Sequence, residues 1–526
     1  MGNKFIAMLS VRDTFTENGA VSNSSTGDIL VNQFGSVSGY MNRPLNDVFS
    51  NQEELWIEND LSALRFIFYL RAISRDTKVS LNDDKKTYKQ KGQGLRDEVF
   101  KRLLWVADNQ PSTFYANIVY LPFIGSWKDI WELMWYDYYY NVKAIDKTKM
   151  FELIASGLSN IETCDLVKKY LPSLMSCKKQ SSNRSRFMNI TAREFMKFMK
   201  WNHREYRNFK TSGTAHDFQK HISRQEFGEI NWSNISSKAL TKLVASKFIL
   251  RNNLLESYEK WIDNQETVKF NGHPYELGYI FNNNKLFKHQ KNTLNKQFDS
   301  LIKNVKEKFK ENVWCALDTS GSMTIKYCNR NITPYDICTS LGIFFSTLNE
   351  GAFHKQVIMF NNVSYVKKLK GDFCEMMKQL PRNAMGGTNF LSVVKRIVSI
   401  RKNNPSIPLE DYPQTLLVVS DMQFNATGGV DTNYERCKAM LSEVFPTEFV
   451  ENFKFIWWNV AVNTKDFPSR IEDGGTFLLS GFDGSIISLL LGEEVETKEM
   501  RKPKNMVELV ESALSQEIFS ILKIVK

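Results

Sequence analysis

No CxxC pair occurs among the seven cysteines, Cys164, Cys177, Cys315, Cys328, Cys338, Cys374 and Cys437. An odd number at wide spacings builds neither a disulfide framework nor a zinc site, and fits a reducing compartment. No apolar run is long enough to span a membrane, and the stretch from Phe5 to Leu9 is too brief for the core of a secretion signal. Ile6 also leaves the myristoylation pattern after Gly2 incomplete. These absences predict a soluble, cytoplasmic protein without a membrane partner.

Catalytic signatures are missing as well. There is no P-loop GxxxxGK[ST] and no HExxH. Gly92-Gln93-Gly94 falls in a polar stretch read as a loop before a helix, with no strand ahead of it, so it is no nucleotide fingerprint. His216 and His221 lie five residues apart, which does not align them on one helix face. They read as surface histidines rather than a metal pair.

What is present is a chain of 526 residues, too long for one ordinary core, with 42% hydrophobic and 13% aromatic residues. Two or three folded domains are expected. The net charge of +11 is uneven, because the window from Lys168 to Arg224 carries fourteen Lys and Arg against three acids. Within it Arg193, Lys197, Lys200, Arg204 and Arg207 recur every three or four residues among Phe195, Phe198, Trp201 and Tyr206. A helix over 192–209 would show a cationic stripe beside an aromatic one. Lys168, Lys169, Lys178, Lys179, Arg184 and Arg186 add a basic approach. The pattern suits phosphate contact, with RNA as the expected partner, and equally a solvated face over an aromatic core.

Residues 1–50 are rich in Asn, Ser, Gly and Thr and read as an irregular segment. Apolar residues at helical spacing then mark helices near 55–73, 95–107, 111–121, 127–140, 149–158, 192–209, 237–262 and 294–309, while strand patterns are scarce. Residues 51–310 therefore read as an all-α domain of helical repeats, HEAT-like in character. From Asn312 strands and helices alternate, with apolar runs at 313–317, 357–360, 416–420, 453–462 and 476–479. Residues 311–526 read as an α/β domain with a doubly wound parallel sheet, in which ligands sit beyond the carboxyl ends of strands.

Asp318 and Asp421 both follow such runs. Asp318-Thr319-Ser320-Gly321-Ser322 sets a carboxylate and two hydroxyls on one turn, and Gly386-Gly387-Thr388-Asn389 delivers a further hydroxyl ahead of a helix. Oxygen-only donors suit a hard divalent cation such as Mg²⁺. A phosphatase of the haloacid-dehalogenase type would need an Asp two residues after the first, where Ser320 stands. The order Asp318, Ser320, Ser322, Thr388, Asp421 resembles the metal-ion-dependent adhesion site of von Willebrand A domains. That resemblance implies Ser320, Ser322 and Thr388 on or near the metal, the two Asp acting largely through waters, and an open position for a partner's carboxylate or a phosphate. Met422 and Gln423 depart from the pattern, since a Gly is common after the last Asp, so a different loop shape is expected there.

A helical domain followed by an A domain resembles the Ro ribonucleoprotein architecture, whose TROVE module binds RNA. Closer is an uncharacterised family of plants and giant viruses, similar at Thr16-Glu17-Asn18-Gly19-Ala20, Ser25-Thr26-Gly27, Gly94-Leu95-Arg96-Asp97, Gly125-Ser126-Trp127-Lys128-Asp129 and Ser420-Asp421-Met422-Gln423-Phe424. The expectation is a non-enzymatic, Ro-like RNA-binding helical platform joined to a Mg²⁺-dependent docking domain whose protein partner offers an acidic ligand. The alternative is a scaffold or virion-associated protein that contacts proteins only.

Overall fold

The computed structural model describes residues 14–40, 43–81, 84–174, 182–212, 221–222, 224–307, 309, 311–326, 332–381, 385–426, 433–461, 466–481 and 503–526. The chain divides into two compact units, one of Met1–Met41 with Ser237–Ala513 and one of Asn42–Ser236 with Leu514–Lys526. The sequence reading set off 1–50, 51–310 and 311–526. Among the described residues no helix is long and apolar enough to cross a membrane.

The N-terminal segment is less irregular than its composition implied. Strands β1 (Thr14–Phe15) and β2 (Val21–Ser22) form a small antiparallel turn, and α1 (Ile29–Phe34) starts where the Asp28 carboxylate accepts from the Val31 amide at 2.8 Å.

In the second unit α2 (Leu45–Glu58) and α3 (Asp60–Arg71) replace the single helix expected near 55–73. The break is Asn59, whose extended backbone ends one helix while its side chain caps the next. A long hairpin follows, β3 (Ile73–Leu81) with β4 (Asp84–Gln93), and its second strand reaches into the 92–94 stretch read from the sequence as loop. Its buried face is largely polar, carrying Thr77, Gln90 and Gln93 beside Val79 and Tyr88, so it has little hydrophobic alternation. Gly92 thus belongs to a strand, but to an antiparallel one. A Cβ there would come within 2.3 Å of the Tyr69 carbonyl, so this glycine serves close packing.

Helices α4 (Asp97–Asn109), α5 (Pro111–Asn117), α6 (Leu121–Ile124), α7 (Lys128–Tyr140), α8 (Lys147–Ser159) and α9 (Cys164–Tyr170) continue this unit. At its centre Arg71 and Asp129, both fully buried, pair at 2.6 Å. The helix predicted over 192–209 is two, α10 (Asn183–Phe198) and α11 (His203–Thr211). Lys200 is left-handed at φ 57°, and Asn202 and Glu205 form a reciprocal capping box that starts the second helix.

Helices α12 (Ser237–Ala245), α13 (Phe248–Arg251), α14 (Leu255–Asp263), α15 (Pro274–Asn283) and α16 (Lys288–Lys306) open the larger part of the first unit. Next come β5 (Trp314–Asp318), α17 (Pro334–Leu348), β6 (Gln356–Phe360), β7 (Ser364–Lys368) and α18 (Phe373–Gln379). The chain continues through α19 (Leu391–Asn403), β8 (Thr415–Ser420), α20 (Asn433–Leu441), β9 (Lys454–Asn459) and β10 (Thr476–Ser480). The sheet runs β10-β9-β8-β5-β6-β7, parallel except for β7 at its edge. Trp457 and Trp458 are adjacent on β9 and both fully buried, so both faces of the sheet are covered.

Helices α15 and α16 join this unit through tertiary contacts. A Cβ on Gly278 would meet the Ser340 hydroxyl at 2.1 Å, Asn282 donates to Asp336 at 2.8 Å, and Phe298 stacks on Phe373 at 4.5 Å.

Candidate functional site

The strand order places β5 beside β8, so Asp318 and Ser420, the last residues of the two strands, end up as neighbours. Asp318 is fully buried. Its carboxylate accepts from the Ser320 amide at 2.8 Å and from the Ser420 hydroxyl at 2.5 Å. Past the strand ends, the 319–322 turn is tied to the glycine loop, because Met385 donates to the Thr319 carbonyl at 2.8 Å and Gly321 to the Gly386 carbonyl at 3.0 Å. The Ser320 and Ser322 hydroxyls are 3.2 Å apart, and Ser322 hydrogen-bonds Asp421.

Two asparagines that the sequence reading passed over hold Thr388 in place. The Asn362 side chain accepts from Gly387 at 2.8 Å, and that of Asn425 accepts from the Thr388 amide at 3.0 Å. The Asn425 amide in turn donates to the Thr388 carbonyl at 2.9 Å. The Thr388 hydroxyl itself is buried and has no hydrogen-bond partner among the described residues. The three loops that carry the five predicted positions, far apart in sequence, are thus hydrogen-bonded neighbours.

Met422 takes the left-handed backbone, at φ 63°, that a glycine would adopt without strain. For a side-chain-bearing residue this costs on the order of 1 kcal/mol. Burial of its side chain and a 3.0 Å bond from its amide to Ser420 Oγ hold it there.

Burial raises the pKa of Asp318, and the neighbouring Asp421 adds to the rise. Asp421 is raised as well, chiefly by burial. No Lys or Arg appears among the groups acting most strongly on either. Two carboxylates in low dielectric beside three hydroxyls form a donor set that a hard cation would satisfy. Among the described residues no group of three or more His, Cys, Asp or Glu side chains is placed to hold a metal ion, so any cation here would depend on the hydroxyls. Cys338 donates to the Val419 carbonyl at 3.3 Å, and burial pushes its thiol well above the ordinary value.

Most of the described cations of the basic window lie on α9 to α11. Arg186, Arg193, Lys197, Lys200, Arg204 and Arg207 are exposed, over a core in which Phe195 and Tyr206 are fully buried. The helix break splits the expected stripe, so these charges do not share one helix face. Arg184 pairs with Glu132, Lys168 lies 4.8 Å from the Phe209 ring centre, and Lys169 lies 5.8 Å from that of Tyr170. Lys178, Lys179 and His216 fall outside the described residues. His221 is 3.2 Å from Glu226. Trp201 and Phe209, 4.8 Å apart, line an open groove of about 480 Å³ with Glu205, Asn208 and Ser212.

Comparison with known proteins matches part of the chain to a family model and gives no activity. No curated protein matches the chain. Among solved structures, the Deinococcus radiodurans RO (RSR) protein is similar at 13% identity and a TM-score of 0.32, over 75% of this chain and 86% of that one. Residues 312–524, which contain all five site positions, match the family described as a domain of unknown function (DUF7788).

Proposed function

We propose that Asp318, Ser320, Ser322, Thr388 and Asp421 form a divalent-cation site of the von Willebrand A type, with Mg²⁺ as the natural occupant. The protein would then be a non-enzymatic docking protein. The observation that carries this reading is the Thr388 hydroxyl, buried without a partner among the described residues, on a loop hydrogen-bonded to those that carry the two buried carboxylates. Such a group is destabilising unless something accepts its lone pairs. Ser320, Ser322 and Thr388 would hold the ion, and the two carboxylates would balance its charge. A bound cation would supply a position at which an acidic group of a partner can be captured. The side chains assembled here would orient and bind. Isothermal titration with Mg²⁺, comparing the natural chain with Asp318→Ala, tests the reading. Equal binding by both would refute it.

The second part of the proposal is that the helical unit, a repeat-like platform, engages RNA through its exposed basic face. Six exposed cations and a groove with two aromatic rings support phosphate contact together with base stacking. A gel-shift titration with structured RNA should show binding that weakens steeply with salt. Absence of that binding would favour the protein-only scaffold.

A further inference from the structure

Three arginines of the helical unit gather around one carboxylate. Arg71 is the last residue of α3, Arg75 lies on β3, Arg96 immediately precedes α4, and Asp129 stands in the first turn of α7. The Gly94 and Leu95 amides donate to the Ala72 and Leu70 carbonyls, each at 2.8 Å, and so fasten the loop carrying Arg96 to the end of α3. Arg71 Nε donates to Asp129 Oδ2 at 2.7 Å, Arg96 Nε lies 3.3 Å from Asp129 Oδ1, and Arg75 Nη2 donates to the Phe123 and Gly125 carbonyls at 3.0 and 2.9 Å. Gly125 permits this closeness, because a Cβ there would come within 2.3 Å of the Asp129 carboxylate and 2.7 Å of Arg71 Nε. Arg71 and Asp129 are buried, while Arg75 and Arg96 are exposed and Ser126 is half-buried, so the cluster reaches the surface.

The charge in this cluster does not balance. Among the described residues no carboxylate other than Asp129 is in ion-pair reach of the three guanidiniums. Asp97, beside Arg96 in the chain, is taken by Lys101 and Tyr136, and Glu132, one turn beyond Asp129, by Lys128 and Arg184. Burial lowers the pKa of Arg71, and Arg96 and Arg75 lower it further against the opposing effect of Asp129. Donors are left over as well. Arg71 Nη1 is buried and has no hydrogen-bond partner among the described residues, and the same holds for Ser126 Oγ. Ser126 and Asp129 have the spacing of a capping box, and the Asp129 carboxylate does accept from the Ser126 amide at 2.9 Å. The Asp129 amide, however, donates to the Ser126 carbonyl rather than to the hydroxyl. A structural ion pair accounts for Arg71, and the two carbonyls account for Arg75. Neither explains a second positive charge at Asp129 or an idle hydroxyl.

A guanidinium fork fits carboxylate and phosphate alike, but three arginines and a hydroxyl offer more donors than a planar carboxylate can accept. A tetrahedral phosphate with three or four free oxygens accepts them. The N-terminus of α7, a helix of 13 residues, adds partial positive charge at the same place. We infer that Arg71, Arg75, Arg96 and Ser126 form a phosphate-binding site at the start of α7, built from residues other than those of the basic face on α10 and α11. The phosphate is a free small anion or the terminal phosphate of an RNA chain. The inference depends on neither the cation reading nor the RNA reading above.

The experiment is isothermal titration of the full-length protein with inorganic phosphate at constant ionic strength. The natural chain is compared with Arg96→Gln, with Ser126→Ala and with a variant carrying Glu at Lys197, Lys200 and Arg204. Both site substitutions spare the buried Arg71–Asp129 pair, and unchanged thermal unfolding in chloride checks that the fold is kept. The natural chain should bind phosphate saturably. Arg96→Gln should weaken binding by about 10-fold or more and Ser126→Ala by about 3-fold or more, whereas the triple variant should bind like the natural chain. Absence of saturable binding in the natural chain overturns the site, as does undiminished binding by both Arg96→Gln and Ser126→Ala. A loss in the triple variant equal to that in Arg96→Gln also overturns it, by assigning the binding to general charge. A second titration uses one RNA oligonucleotide with and without a terminal phosphate. Tighter binding of the phosphorylated form that Arg96→Gln abolishes identifies an RNA end as the source. Equal binding of the two forms, with inorganic phosphate still bound, identifies a small anion.

Discussion

Replacing Thr388 by Val tests the site through stability, and the expected signs are opposite in the two conditions. Val has nearly the shape of Thr but lacks the hydroxyl, which is buried and without a partner among the described residues. Leaving a buried hydroxyl unsatisfied costs roughly 1–3 kcal/mol. In EDTA the variant should therefore be more stable than the natural chain, by about 1–2 kcal/mol after imperfect packing of the new methyl. At a Mg²⁺ concentration of 100 times the Kd, the natural chain gains about 2.7 kcal/mol by mass action. The variant has lost a ligand and should gain much less, so the order of stability reverses. Urea unfolding followed by tryptophan fluorescence reads this directly, since Trp314, Trp457 and Trp458 are buried in the sheet unit. A Thr388→Val variant less stable in EDTA would mean that the hydroxyl is satisfied in the metal-free fold. Equal Mg²⁺ stabilisation of both proteins would remove Thr388 from the ligand set.

Further perturbations probe the helical unit. Asp129→Asn removes the charge paired with fully buried Arg71 and leaves that guanidinium uncompensated, for an expected loss of about 3–5 kcal/mol in thermal or urea unfolding; a loss within experimental error would show that water reaches the pair. Lys210 donates to the Leu171 carbonyl, and burial lowers its pKa to about 8. Its charged form is thus disfavoured in the folded state, so stability should rise as pH increases from below 8 towards the ordinary lysine value. The trend should flatten in Lys210→Met, and an unchanged pH slope in that variant would assign the effect elsewhere. Combined Glu substitutions at Lys197, Lys200 and Arg204 should abolish the salt-steep RNA binding in a gel-shift assay, and retained affinity would move the RNA site off this face.

The candidate site was legible because its signals are local. A buried apolar run ending in Asp marks a strand end in an α/β region, and both 313–318 and 416–421 have that form. The glycines before Thr388 announce a tight loop, and the switch to alternating elements after Asn312 marks the sheet. The helix break at Lys200 was legible too, in the Asn202-x-x-Glu205 capping pattern, but the recurring charges drew attention to a single stripe. The hairpin of β3 and β4 was hidden for the opposite reason: its buried positions are Thr and Gln, satisfied by tertiary bonds such as Gln90 to the Ile73 and Ile124 carbonyls at 2.8 and 3.0 Å.

From the sequence alone came the donor chemistry, the order of the loops and the excess of positive charge, because each depends on residues close together in the chain. Tertiary structure decided which strand lies beside β5, that Ser420 bonds Asp318, that α15 and α16 join the sheet unit, and that the Thr16–Ala20 turn reaches the Asp421 loop. The last of these joins positions more than 400 residues apart. Short polar turns such as Thr16–Ala20 carry no periodicity that could name their partner. Only the burial of their amides against a particular loop selects it.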